Sequence, residues 1–191
     1  LHAAPSFAAA WLSPRLPRFM AQHPGIEVRL SAGTDYSQFT NNDFDADIVY
    51  GPVRAADVDA TPIAVETVTP MCSPAMAASI AAPSDLRQLH LIQSDNKMIR
   101  WSHWFEANGL EPPAPHGIRF DRSFLAIAAA VDGLGVALES TLLAERELAS
   151  GRLVMPLAQT AKCITYTGHH LVLPRHGRPN KLVTRFASCL D

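Results

Sequence analysis

The chain has 191 residues, of which 48% are hydrophobic, so it can form one large domain or two small lobes with buried cores. Its formal net charge is −2, and it therefore lacks the overall basic field of a nucleic-acid-binding domain. No run of about 18 apolar residues occurs, so the sequence predicts no membrane span.

Cysteine usage indicates the compartment. Cys72, Cys163 and Cys189 are odd in number and widely separated, and they match neither a disulfide framework nor a zinc site. This pattern is typical of a reducing environment, so we expect a cytoplasmic protein. The chain starts at Leu1 and then lacks the basic leader and apolar core of a signal peptide, so we expect a missing N-terminal part.

The first third of the chain predicts two helices and two strands. A short helix is expected over residues 5–11, and a second helix is expected to begin with Ser13 as N-cap and Pro14 at its first position. Apolar and polar residues alternate over 26–30, which predicts a strand. A loop and a short helix then lead to a buried strand that ends at Gly51.

The rest of the chain alternates between strand-like and helical patterns. The predicted strands are residues 61–73, 90–94, 116–120, 136–138, 153–157 and 163–175. The predicted helices are residues 74–81, 83–89, 99–109, 124–131, 141–153 and 178–191. Such alternation is typical of an α/β fold with mainly parallel pairing.

Residues 120–140, FDRSFLAIAAAVDGLGVALES, contain Gly133 and Gly135 between two apolar runs. This spacing raises the question of whether the segment is a phosphate-binding loop. Such a loop follows a strand and opens a helix, whereas here the helix comes first and the third glycine position is Leu138. Gly133 instead fits the left-handed end of a helix, and Gly135 opens a short strand. The segment therefore predicts a helix, a tight turn and a buried strand. Ser123 precedes the helix, where it can act as a cap and where anions are attracted.

Two extended segments near prolines, residues 68–74 and 170–175, are predicted to cross between two lobes. The first lobe would comprise residues 1–71 and 175–191, and the second residues 72–174. A ligand cleft between the lobes, with the crossing strands as hinges, is the expected binding site.

Seven segments, in order, resemble the effector-binding domain of LysR-type transcriptional regulators. They are PSFAAAWLSPRLPRFMAQHPGIEVRL (5–30), DADIVYG (45–51), CSPAMAAS (72–79), PSDLRQLHLIQSD (83–95), WSHWFEANGLEPP (101–113), RFDRSFLAIAAAVDGLGVALES (119–140) and LASGRLVMPL (148–157). The similarity covers nearly the whole chain and is nearest to the glycine-cleavage activator and β-lactamase regulator branch.

The resemblance implies two Rossmann-like lobes of the periplasmic-binding-protein type 2 fold, without a cofactor and without enzymatic activity. It also implies an N-terminal winged helix-turn-helix that contacts promoter DNA, and a homodimer or homotetramer formed through this domain. A small-molecule effector would shift the balance between assemblies, which requires different affinities for the two states.

The candidate effector contacts are mainly hydroxyls at the ends of predicted strands or the starts of predicted helices. Each has a structural alternative: a helix cap for Ser6, a turn for Thr34, and core packing for Phe124 and Tyr50. The full set of candidates is Ser6, Phe7, Thr34, Asp35, Tyr50, Gln93, Ser94, Ser123, Phe124 and His170.

The candidate set indicates binding without turnover. No Gly-x-Ser-x-Gly elbow, paired acids or Walker loop is present, and His169–His170 has no further ligands at metal-binding spacing. Lys97, Arg100 and Arg122 are expected to be exposed, so a zwitterion or monoacid is favoured over a multianion. A free-standing two-lobed solute-binding protein and a small enzyme on the same scaffold are the alternatives.

Overall fold

The computed structural model describes residues 1–36, 39, 44–115, 117–175 and 181–188. The chain divides into a first unit, Leu1–Val65 with Thr167–Asp191, and a second unit, Glu66–Tyr166. This division falls after Val65 and after Tyr166. Of the segments predicted as crossings, residues 68–71 belong to a strand of the second unit and residues 170–174 to a strand of the first.

The sheet of the first unit has five strands: β1 (His2–Ala3), β2 (Ser31–Ala32), β3 (Asp47–Tyr50), β4 (Val58–Pro62) and β10 (His169–Pro174). Their order in the sheet is β2-β1-β3-β10-β4. Strand β1 is parallel to β2 and β3, and β10 is antiparallel to both β3 and β4. The buried strand predicted to end at Gly51 is therefore confirmed as β3.

The helices of the first unit begin with α1 (Pro5–Phe7), which continues as a π-helical turn (Ala8–Leu12). The later helices of this unit are α2 (Leu16–Gln22) and α7 (Lys181–Ala187). The expected N-cap at Ser13 is wrong, because the Ser13 N–H donates to the Ala8 carbonyl at 2.9 Å and so still belongs to the preceding turn.

The strand predicted over residues 26–30 is not formed. Strand β1 is only two residues long, and it pairs only with Ser31 and Ala32 of the neighbouring segment. The short helix predicted between residues 33 and 46 falls on a stretch in which residues 37, 38 and 40–43 lie outside the described residues.

The sheet of the second unit also has five strands: β5 (Val65–Met71), β6 (Leu91–Ser94), β7 (Arg119–Phe120), β8 (Val136–Ser140) and β9 (Ile164–Thr167). Their order in the sheet is β7-β6-β8-β5-β9. Strand β6 is parallel to β7 and β8, whereas β5 is antiparallel to β8. Both sheets are therefore mixed, which corrects the expectation of mainly parallel pairing.

Five helical segments accompany this sheet: α3 (Pro74–Ala77), a 3-10 segment (Pro83–Gln88), α4 (Trp101–Ala107), α5 (Ser123–Val131) and α6 (Glu145–Ala149). Helix α6 is shorter than the predicted helix over 141–153. The strand predicted over 153–157 is reduced to a single bridge between Val154 and Cys72.

The core of the second unit is built around α4. Trp104 and Phe105 are fully buried, and their rings meet edge to face at a centroid distance of 5.4 Å, a favourable aromatic geometry. The Trp101 indole N–H donates to the Ile92 carbonyl at 3.0 Å, which ties α4 to β6. The recurring tryptophans therefore mark a packed helix face.

The turn between α5 and β8 is the one that the two glycines predict. Gly133 has φ +79° and closes α5, a conformation that glycine adopts without a steric penalty.

Within the described residues, no helix is long and apolar enough to span a membrane.

Candidate functional site

Ser6 and Thr34 are the candidate hydroxyls of the first unit. Ser6 is the second residue of α1, and Ala4, not Ser6, is the N-cap. The Ser6 side chain is half-buried, while Thr34 and Asp35 are exposed in the loop that follows β2. Ser6 therefore lies at the start of a helix that directly follows β1, as the sequence places it.

The aromatic candidates of the first unit form a cluster around a buried histidine. The ring of His169 lies 4.7 Å from that of Phe7 and 5.0 Å from that of Tyr50, measured between centroids. Phe7 is fully buried, so it acts through packing rather than as an exposed wall. His170, the next residue on β10, is half-buried, and adjacent strand residues point to opposite faces.

Tyr36 lies in the loop that follows β2. Its hydroxyl donates to the Tyr50 carbonyl at 2.8 Å and accepts the Tyr50 N–H at 3.2 Å. Burial raises the pKa of Tyr36 from its ordinary value. The side chain thus fixes the loop after β2 against the end of β3, beside the candidates Thr34 and Asp35.

A buried His–Asp pair was not anticipated from the sequence. The Nδ1 atom of His2 lies 2.9 Å from Oδ1 of Asp47, and both residues are buried on neighbouring strands. The pair satisfies two polar groups inside the sheet. Among the residues that the structure describes, no group of three His, Cys, Asp or Glu side chains could hold a metal ion.

Gln93 and Ser94 end strand β6 in the second unit. Gln93 is half-buried, and its Nε2 donates to the Ser94 carbonyl at 2.6 Å. The Ser94 side chain is buried. The two side chains point to opposite faces of β6, so one surface can use only one of them.

Ser123 is the first residue of α5, and Arg122 is the N-cap. The predicted capping role is wrong, because the structure shows no side-chain cap at this helix. The buried Ser123 hydroxyl instead hydrogen-bonds to the carboxylate of Glu139. Phe124, the next residue, remains partly exposed.

Glu139, the hydrogen-bond partner of Ser123, also forms an ion pair with Lys97. Their side chains are only 1% and 3% exposed, which corrects the expectation that Lys97 is exposed. Burial raises the pKa of Glu139, while Lys97 and the Ser123 hydroxyl act in the opposite direction. The sequence signal for this pair is Glu139 itself, a charged residue in the mostly apolar strand VALES.

Two further cations of this unit are also paired with carboxylates. Arg122 contacts Asp121 at 3.0 Å, and Arg119 contacts Asp95 at 2.7 Å. The positive charges around the start of α5 and the end of β6 are therefore largely balanced by carboxylates.

Comparison with known proteins places the whole chain in one family. The family model described as the LysR substrate binding domain matches residues 1–191. The chain belongs to this LysR substrate-binding domain family. The resemblance stated from the sequence is confirmed.

The relatives are named transcriptional regulators. The chain is 53% identical over 190 residues to the HTH-type transcriptional regulator PerR of Escherichia coli K12, covering 100% of the chain and 64% of the relative. It is 33% identical over 156 residues to the glycine cleavage system transcriptional activator of the same strain, covering 80% of the chain and 51% of the relative. This LysR domain thus spans about two thirds or less of these relatives. Both relatives are named for the regulation of transcription, which agrees with the expectation of a domain without enzymatic activity.

The solved structures agree with the α/β fold. The effector domain of the transcriptional regulator AmpR of Pseudomonas aeruginosa matches with a TM-score of 0.82 and 31% identity, covering 99% of this chain and 91% of that chain. The predicted fold class, of the type 2 periplasmic-binding-protein kind, is therefore confirmed for this LysR domain.

Proposed function

We propose that the chain senses a small polar or anionic metabolite for a bacterial LysR-type transcription regulator. The observation that carries the proposal is the family match over residues 1–191, together with the regulator names of the relatives. Ligand binding would shift the regulator between states for which the ligand has different affinities.

Each unit has its own proposed effector contacts. Ser6, Thr34 and Asp35 supply hydroxyl and carboxylate groups in the first unit, with Tyr50 and His170 on neighbouring strands. Ser6 at the start of α1 and Ser123 at the start of α5 are the main candidate of each unit, since helix starts favour anionic ligand groups. In the second unit the contacts are Ser123, Phe124 and one of Gln93 and Ser94, because these two side chains point to opposite faces of β6. Phe7 supports Ser6 from the core.

The charge state of the second unit supports a zwitterion or a monoacid as effector. Lys97 is neutralised by Glu139, and Arg122 is paired with Asp121. A tricarboxylate would require several cations that are not already paired, because an unpaired buried charge is costly.

We extend the proposal to the complete regulator. It would carry an N-terminal winged helix-turn-helix that contacts promoter DNA, and it would form a homodimer or homotetramer through this domain. Because promoter DNA is its target, the regulator would act in the cytoplasm.

A thermal-shift screen with amino acids, monocarboxylates, dicarboxylates and tricarboxylates tests the proposed ligand class. A ligand that binds the native state raises the unfolding midpoint by mass action. We expect the largest rise with an amino acid or a monocarboxylate, followed by calorimetric titration of the best compound. Tightest binding by a tricarboxylate would contradict the proposed class, and binding by none of these compounds would contradict effector sensing of this kind.

A further inference from the structure

Three parallel strands of the first unit, β1, β2 and β3, end at the same edge of its sheet. Strand β1 continues through Ala4 into α1, the chain after β2 leads to Thr34, and β3 ends at Tyr50. In open α/β sheets, ligands bind outside the carboxyl ends of such strands. The proposed contacts Ser6 and Thr34 therefore follow neighbouring strands at this edge.

The hydrogen-bond ladder between β1 and β3 stops before β3 does. The Ala4 N–H donates to the Ile48 carbonyl at 2.8 Å, and in a longer parallel pair the Tyr50 N–H would next donate to the Ala4 carbonyl. Instead, the Ala4 carbonyl accepts the Ala8 N–H at 2.9 Å, because the chain has turned into α1. The backbone groups of Tyr50 that face β1 therefore require a partner from elsewhere in the chain.

The hydroxyl of Tyr36 is this partner. It donates to the Tyr50 carbonyl at 2.8 Å and accepts the Tyr50 N–H at 3.2 Å, so one hydroxyl takes the place of the strand that has ended. A hydroxyl suits this position because it can donate and accept at the same time. Burial raises the pKa of Tyr36, so the hydroxyl keeps its proton at neutral pH and can donate. The side chain is still 38% exposed, so the contact lies at an accessible part of the edge.

The contact also fixes the two residues that precede Tyr36. On one side of Thr34 and Asp35, the Gly33 N–H donates to the Ala3 carbonyl at 3.2 Å. On the other side, Tyr36 is bonded to the end of β3. Both ends of this two-residue segment are thus attached to the sheet, while Thr34 and Asp35 themselves are exposed. Holding a binding segment in place before the ligand arrives lowers the ordering cost of binding.

We propose that Tyr36 is a positioning residue of the effector site, whose hydroxyl, bonded to the end of β3, holds Thr34 and Asp35 in the conformation that binds the effector. This inference rests on the proposed function, since it takes Thr34 and Asp35 as effector contacts. Tyr36 acts through these two residues, because its own hydroxyl is already bonded to the Tyr50 backbone.

Amide hydrogen exchange in the ligand-free chain tests the attachment. Tyr36→Phe removes the hydroxyl and keeps the ring, so its thermal unfolding midpoint should stay within about 4 °C of the parent's. We expect the Tyr50 amide to exchange about tenfold faster or more in this variant, because its acceptor is gone. The Ala4 amide, bonded to the Ile48 carbonyl, is the internal control and should exchange as in the parent. An unchanged rate at Tyr50, or an equal increase at Ala4, would overturn the proposal.

A double-mutant cycle tests the positioning role. The probes are the proteinogenic L-amino acids, acetate, propionate and benzoate, and the tightest binder of the parent is used throughout. Tyr36→Phe should weaken its binding about fivefold or more in the parent and in the Ser6→Ala background, where the two changes are independent. In the Thr34→Ala background it should weaken binding by only about twofold or less, because part of what Tyr36 positions is already gone. Equal factors in the two backgrounds would overturn positioning through Thr34.

The binding data separate this inference from the proposed function. Probe binding that Tyr36→Phe leaves unchanged would overturn the positioning role and leave effector sensing standing. Binding of none of the probes by the parent would overturn both, whereas the exchange rate at Tyr50 would still show whether the hydroxyl contact is formed.

Discussion

Glu139 of β8 and Lys97 of the loop after β6 form a buried ion pair in the second unit. Ser123, the first residue of α5, hydrogen-bonds to the same carboxylate. The pair therefore connects a loop, a helix start and a central strand. Since isolated buried charges are strongly unfavourable, each partner depends on the other.

Replacing Lys97 should reveal this dependence. Lys97→Met leaves the Glu139 carboxylate buried without its cation, and we expect the free energy of unfolding to fall by about 3–5 kcal/mol. Urea unfolding followed by circular dichroism at about pH 7.5 measures the change.

Two controls accompany that measurement. The double variant Lys97→Met/Glu139→Gln removes both charges and should recover much of the loss, because no unpaired ion remains. Lys162→Met, at an exposed lysine, should change stability by only about 0.5 kcal/mol. A Lys97→Met loss no larger than that of Lys162→Met would show that the pair does not stabilise the unit.

The same pair predicts a pH dependence. Burial raises the folded-state pKa of Glu139 above its ordinary value of 4.5, so its contribution to stability is fully present below that value and is lost as pH rises through the folded pKa. Removing Lys97 raises this pKa further. The stability deficit of Lys97→Met should therefore grow as pH rises above 4.5, measured as urea midpoints. A deficit that is constant with pH would contradict the assignment to Glu139.

The sequence predicted the elements whose signals are local. Residues 47–50 and 90–94 are short apolar runs bounded by turn residues, and both form strands. The helix, glycine turn and strand after Ser123 are also present, because helical spacing and the position of Gly133 act within a few residues. Strand length was less predictable. Residues 26–30 alternate well, yet pairing stops where β1 stops.

In the candidate site, too, local features were predictable from the sequence and long-range contacts were not. The positions of Ser6 and Ser123 at helix starts follow from local patterns. The burial of Lys97 does not, because its partner Glu139 lies 42 residues away and no local signal links the two. The packing of Phe7 on His169 likewise depends on a helix and a strand from opposite ends of the chain.

The close approach of Gly135 to the neighbouring backbone gives a second stability prediction. A Cβ atom added there would lie 2.3 Å from the His90 carbonyl oxygen, so Gly135→Ala should separate β8 from the chain before β6. We expect a loss of more than about 2 kcal/mol in thermal or urea unfolding. Gly109→Ala is the control, since its φ of +70° adds strain but no atom lies within 4 Å. It should lose about 1 kcal/mol, and an equal loss in both variants would contradict the contact.

The two helix-start serines give a binding prediction. Ser6→Ala and Ser123→Ala should each weaken binding of the effector found in the screen by about 1 kcal/mol or more, the scale of a lost hydrogen bond. Calorimetric titration measures the change, with Ser150→Ala as a control at an exposed serine whose hydroxyl bonds only locally to Glu147. Unchanged affinity in both helix-start variants would remove these serines from the proposed contacts.

The two described cysteines should differ sharply in alkylation. Burial raises the pKa of the Cys72 thiol to about 11, so little thiolate forms at neutral pH, whereas Cys163 is exposed. Treatment of the native chain with iodoacetamide at about pH 8, followed by peptide mass spectrometry, should modify Cys163 at least tenfold faster than Cys72. In urea both thiols should react at similar rates, because the difference comes from folding. Equal rates in the native chain would show that the Cys72 thiol is accessible, contrary to its position beside the Val154 bridge.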